Sequence, residues 1–345
     1  MRTRLVLVAS ALTVGLVAVA VPAPAAMPVS TTRFAVSGIL AGITIASPTN
    51  AWAVGSTSTN ILIAHWNGHS WQRVASRLPA SYSRLVAVSA SSARGVWAVG
   101  SISFSNGPLT ERLTGAGWRR VPSPNPSGST SVAGVATVTA RNVWTVGGTS
   151  QATVIMHWNG KSWRRVPSPS PSPGSYLEAV ASGSASNAWA VGNAGSSTLI
   201  VHWGGREWRQ TPSPSMAGSP VLYGVAVTGP DNAWAVGGTV NTGKTLTMHW
   251  NGRSWKRIAS PSPGFSTLQA VAATSARNAW AVGIAGTKPL ILHWNGRTWR
   301  RVASPCPASY CPLYGVAGTS ARNAWAVGYA GTKTLTLHWN GRRWS

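Results

Sequence analysis

Acidic side chains are almost missing from this chain. Its 345 residues carry only Glu111, Glu178, Glu207 and Asp231. Hydrolytic mechanisms that use two carboxylates need them ~5 to 10 Å apart, and these four fall in different repeats or at unlike places within a repeat. Cysteine is scarcer still, with Cys306 and Cys311 alone. Beyond Val21 no run is apolar for the ~20 residues that span a bilayer, so no transmembrane segment is expected once a leader is removed. Histidine offers no Ser-His-acid set that stands apart, because six of the seven sit at one place in a repeat.

The beginning of the chain differs from the rest. Arg2 and Arg4 precede an apolar run, Leu5 to Val21, and Ala23 and Ala25 supply small residues at a cleavage site. This is the pattern of a signal peptide over residues 1–25 and predicts a secreted protein. In an oxidising compartment Cys306 and Cys311 are expected to be bridged, closing a loop so short that the entropic gain is about 2 kcal/mol.

Cations dominate instead. Lysine and arginine number 29 and the formal charge is +25. Such a surface favours anionic partners, and export points to an anionic wall polymer, an acidic glycan or anionic lipid headgroups rather than nucleic acid.

The most abundant signal is internal repetition. NAWAVG or a close variant places Trp52, Trp97, Trp144, Trp189, Trp234, Trp280 and Trp325 at intervals of 45 to 47 residues. A second tryptophan follows in HWNG or its variant in six of the units and a third closes all seven, and together they account for all 20 tryptophans. In the fifth copy LYGVAV, NAWAVG, LTMHW and WKRIA read as strands a to d. Asn251-Gly252 makes the c–d hairpin, and Pro-Ser runs such as VPSPSPSPG act as extended connectors outside the ladders. Four short strands in each of seven units predict an all-β, seven-bladed β-propeller over residues 38–345. The final unit lacks half of strand d. Within the N-terminal segment 26–37, TTRFAVS (31–37) is expected to add as the outermost strand of blade seven.

Alternation in strand c puts Leu246, Met248 and Trp250 on one face and Thr245, Thr247 and His249 on the other, which makes the HWNG tryptophans core. The repeated histidines should lie too far apart on radiating blades to converge on a metal, and no metal or cofactor is expected. HWNG is therefore a fastener. Blade two departs from it, with Arg112-Leu113-Thr114-Gly115 preceded by Glu111.

The order LxxVA, WAVG, WNG and W-x-R-V-P resembles the repeats of tectonin-type propeller lectins. It is also similar to kelch repeats and to Asp-box propellers. The resemblance implies a propeller and, on the lectin side, carbohydrate binding. The ligand sets of kelch-type copper oxidases cannot be picked out here, and the Asp of the Asp box is replaced by Asn. A non-enzymatic binding or protein-interaction module is expected, with a secreted propeller enzyme, a kelch-type oxidase or a glycan-active hydrolase or lyase, as the alternative.

Sixteen of the cations fall between the NG turn and the end of strand d. They predict a basic ring around one face and the rim, which would also blunt edge-to-edge aggregation. Arg253, Arg297 and Arg342 are the candidate contacts for an anionic polymer. The b–c loops vary from unit to unit, and Asn241 and Lys244 in the fifth are the candidates for selecting a ligand.

Overall fold

The computed structural model describes residues 34–76, 83–102, 107–125 and 129–345. The expected signal peptide and residues 31–33 of the expected closing strand lie outside them. No helix occurs among the described residues, and hence none long and apolar enough to cross a membrane.

Seven antiparallel sheets follow one another along the chain, six with four strands and the last with three. In blade five the strands are Pro220–Gly229, Asn232–Thr239, Thr245–Trp250 and Trp255–Arg257, paired in the order a-b-c-d. The chain is an all-β, seven-bladed propeller. Blade seven (Leu313–Ser320, Asn323–Ala330, Lys333–Trp339) has its outer edge met from both ends of the chain. His338 and Ser345 exchange backbone hydrogen bonds of 2.9 and 3.0 Å. Further along the same strand, Thr334 N–H donates to the Val36 carbonyl at 2.8 Å and Gly38 N–H to the Thr332 carbonyl at 3.1 Å. The Thr334 hydroxyl adds a bond to the Phe34 carbonyl.

The core is divided among the seven interfaces between blades. Each strand b tryptophan packs against the next blade. Trp234 lies 4.8 Å from Trp294 and 5.0 Å from Trp299, the latter edge-on. Trp325 makes the same contact back to Trp66 and Trp71 of blade one, at 4.9 and 5.3 Å, which closes the ring. Such aromatic pairs stabilise by ~0.5–1.5 kcal/mol beyond the area they bury, so the repetition of one pair type around the circle matters more than any single copy.

The strand c tryptophans differ from the expectation that all are core. Trp66 and Trp158 are buried, but Trp203, Trp250, Trp294 and Trp339 are partly exposed. Alternation fixes the face a side chain takes but not its height on the blade; all six sit at the end of strand c, where the cover differs from blade to blade. The indole N–H groups of the four exposed ones, and of buried Trp66, reach a–b turn carbonyls, as Trp250 does to Pro230 at 2.9 Å.

The glycine of WAVG has a steric reason. A Cβ on Gly192 would lie 2.0 Å from the Tyr176 carbonyl oxygen, and the other six positions give 1.9 to 2.0 Å. Strand a comes this close because it carries a β-bulge directly afterwards: the register slips between Leu177 and Ala179, leaving Glu178 unpaired. Bulges re-aim a side chain, and here they turn it toward the axis.

Candidate functional site

The repeated histidine is held within its own blade. His249 Nε2 lies 2.7 Å from Asn232 Oδ1, and the Asn that opens strand b performs this service in all six blades that have the histidine, at 2.7 to 3.1 Å. The imidazole also lies against the strand b tryptophan, at 4.2 to 4.5 Å. Desolvation by burial lowers the pKa of all six imidazoles, so the neutral ring is favoured. Among the described residues no three His, Cys, Asp or Glu side chains come together as a metal set.

In blade two Arg112 takes the histidine's place over Trp97, with its guanidinium carbon 5.7 Å from the ring centroid. Glu111 occupies the position of Met248 and is fully buried. Its Oε1 accepts a hydrogen bond from Ser76 at 3.0 Å, and burial raises its pKa.

The residues expected to contact ligands fall at opposite ends of the blades. Arg253, Arg297 and Arg342 are exposed on c–d turns. Their backbone N–H groups are fixed by Asn251, Asn295 and Asn340 Oδ1, each at 3.0 Å, and their guanidinium groups form no ion pair among the described residues. Asn241 and Lys244 precede strand c, whose six residues separate the two ends by roughly 20 Å. Asn241 Nδ2 donates to Ser219 at 3.2 Å, linking the b–c loop to the preceding connector. The only ion pair among the described residues joins exposed Arg209 and Glu207.

A site that strand patterns do not reveal lies on the axis. The seven bulged residues, Ala41, Val86, Ala133, Glu178, Tyr223, Gln269 and Tyr314, ring the mouth of a central cavity of about 190 Å³ on the face of the d–a and b–c loops. The ring is lopsided: blades one to three contribute small apolar groups, and blades four to seven contribute Glu178, two phenols and an amide. Ile43, Val88, Val135, Val180, Val225, Val271 and Val316 line it further in.

Glu178 is half-buried, and desolvation raises its pKa. The same carboxylate adds to burial in raising the pKa of Tyr223. Tyr314 is pushed up to about 12, by burial first and then by Tyr329 and Tyr310. These three tyrosines form a row from the axis outward, with centroid separations of 6.1 Å for Tyr314 to Tyr329 and 5.8 Å for Tyr329 to Tyr310. Tyr310 stands in the connector closed by the Cys306–Cys311 disulfide, and its carbonyl accepts from Gly331 N–H at 3.0 Å.

Among the described residues the exposed large hydrophobic ones are Ile39, Val240, Phe265 and Tyr310. All four belong to the d–a and b–c face. Two larger grooves, of about 490 and 420 Å³, run along the Pro-Ser connectors at Pro212–Met216 and Val302–Cys306.

Comparison with known proteins adds the fold's neighbours. No family model and no curated protein matches the chain. Among solved structures, YCF48 bound to D1 peptide superposes with a TM-score of 0.60 at 18% identity, covering 88% of this chain and 94% of that one. YCF48 from Cyanidioschyzon merolae gives 0.58 at 18% identity, with coverage of 88% and 97%. The WD40 repeats of RRP9 give 0.62 at 10% identity, with coverage of 88% and 98%. The chain thus shares its fold with WD40-like propellers.

Proposed function

We propose that the protein is an exported, non-enzymatic interaction module that receives a segment of a partner protein on the face of the d–a and b–c loops. The observation that carries this reading is the placement of Ile39, Val240, Phe265 and Tyr310, exposed apolar surface gathered on one face of a chain otherwise rich in exposed arginine. Interfaces enrich aromatic side chains in this way. The peptide-bound YCF48 neighbour supports the use of such a disc as a platform, at the level of fold. The test is binding of randomised hexapeptides to the wild type and to a Val240→Ser, Phe265→Ser double variant. Affinity should fall about tenfold or more in the variant while its melting temperature stays within a degree or two. Equal binding would place the interaction elsewhere.

A second reading concerns the opposite face. Arg253, Arg297 and Arg342 are exposed and have no acidic partner, which supports adhesion to an anionic wall polymer or acidic glycan. Such attraction is weakly selective and screened by salt, the Debye length falling from ~10 Å at 0.1 M to ~3 Å at 1 M. Retention on an acidic polysaccharide column should fall across that range, and a triple Arg→Gln variant should elute earlier. Retention indifferent to salt and to the substitutions would leave the arginines as edge protection.

A further inference from the structure

The axial ring contains a carboxylate to which no other described group bonds. Glu178 makes no hydrogen bond and no ion pair among the described residues. Arg84, at the start of strand a in blade two, is engaged elsewhere and donates to the Ser101 hydroxyl at 3.2 Å. Glu178 also lines the cavity from a bulge that the missing side chain of Gly192 makes room for. Tyr223 and Tyr314, whose ring faces can hold a cation, stand in the same half-ring with Gln269. Across the mouth, Ala41, Val86 and Ala133 leave the space open.

The size of the cavity limits the occupant. About 190 Å³ is below the ~300–1,000 Å³ of small-molecule pockets, and suits one long side chain. The tyrosine row Tyr314, Tyr329, Tyr310 continues from the mouth across the face and would lie under the chain that carries this side chain. The disulfide holds the outer end of the row in place, because Cys311 follows Tyr310 directly.

Resting on the interaction reading above, we infer that the mouth of the central cavity receives a lysine or arginine side chain of the partner segment, with Glu178 as its counter-ion and the tyrosine row as the bed for the flanking residues. The overall charge of +25 does not forbid this. The cations of the c–d turns stand at the opposite end of the blades, roughly 20 Å along strand c and more than twice the ~8 Å Debye length at physiological ionic strength. On the near face, Lys244, Lys288 and Lys333 lie at the start of the third strand out from the axis, roughly 10 Å from strand a. The entering cation replaces the solvent that burial has removed from the carboxylate.

The probe is a set of hexapeptides with one fixed central residue, Lys, Arg, citrulline or norleucine, and randomised flanks. The wild type should bind the Lys- and Arg-centred sets at least tenfold more tightly than the citrulline and norleucine sets. Glu178→Gln should abolish that preference and leave the norleucine set unchanged. Tyr314→Leu should weaken all four sets, and reduction of the disulfide should weaken them less. If the wild type binds all sets equally and Glu178→Gln changes nothing, the cation pocket is wrong while the interaction face stands. If no set binds, both fail. If free n-butylammonium at equal concentration displaces the Lys-centred peptides, the mouth is a small-cation site and the docked segment is wrong.

Discussion

Replacing Gly192 by alanine should damage the protein, whereas the same replacement at Gly204 in the same blade should not. The added Cβ at Gly192 would sit 2.0 Å from the Tyr176 carbonyl oxygen and 2.9 Å from Leu177 Cα. A carbon–oxygen contact relaxes to roughly 3.3 Å, so strand a would have to retreat by about 1.3 Å. Nothing flexible can give way, since both obstacles are backbone in a paired strand. Overpacking typically destabilises by about 1–3 kcal/mol, and a backbone clash belongs at the upper end. With about 2.1 cal/mol/K of unfolding entropy per residue over roughly 310 residues, about 3 kcal/mol lowers the midpoint by about 5 °C if the ring unfolds as one. Gly204 has no atom within 4 Å of its would-be Cβ, and alanine there should stabilise by about 0.4–1 kcal/mol through the unfolded chain. Thermal unfolding followed by circular dichroism at matched scan rates would measure both. A Gly192→Ala midpoint within 1 °C of the wild type would refute the bulge as the reason for the repeat glycine.

Trp234→Ala removes a fully buried ring and should destabilise by about 3–5 kcal/mol, while Trp250→Ala, partly exposed, should lose clearly less; chemical denaturation of the two variants checks the order. The six repeat histidines have folded pKa values below the unfolded value of about 6.5, so the unfolded chain binds more protons in mild acid. The stability this contributes is present above pH ~6.5 and is lost as the pH falls below it, and imidazole titrations by NMR should place all six below 6.5. Replacing Cys306 and Cys311 by alanine should cost about 2 kcal/mol, given the short loop, with increased hydrogen exchange confined to the connector around Tyr310.

The propeller was legible because its evidence is written seven times: the tryptophan of NAWAVG, the turn of Asn-Gly and the Pro-Ser connectors recur at one period. The histidine was recognisable as structural, but its partner was not named. The signal was present, since Asn50 and His65, or Asn323 and His338, stand 15 residues apart at the ends of antiparallel neighbours. The axial ring was hidden for a physical reason. A bulge breaks the period of two, so the residue after the strand a leucine escapes a reading by alternation, although it is the position where Ala41, Val86, Ala133, Glu178, Tyr223, Gln269 and Tyr314 differ most in kind. Exposure of Trp250 was equally out of reach, because alternation says nothing about height along a blade. Arg253 and Lys244 were placed on different faces by topology alone, and they stand on different faces here.

The division of labour between the two faces is tested most directly by hydrogen exchange of the protein alone and saturated with a Lys-centred hexapeptide. The account predicts added protection in segments 172–178, 219–223, 262–269 and 308–314, with the c–d turns at 251–254, 295–298 and 340–343 unchanged. Protection confined to those turns or to the outer strands would contradict it.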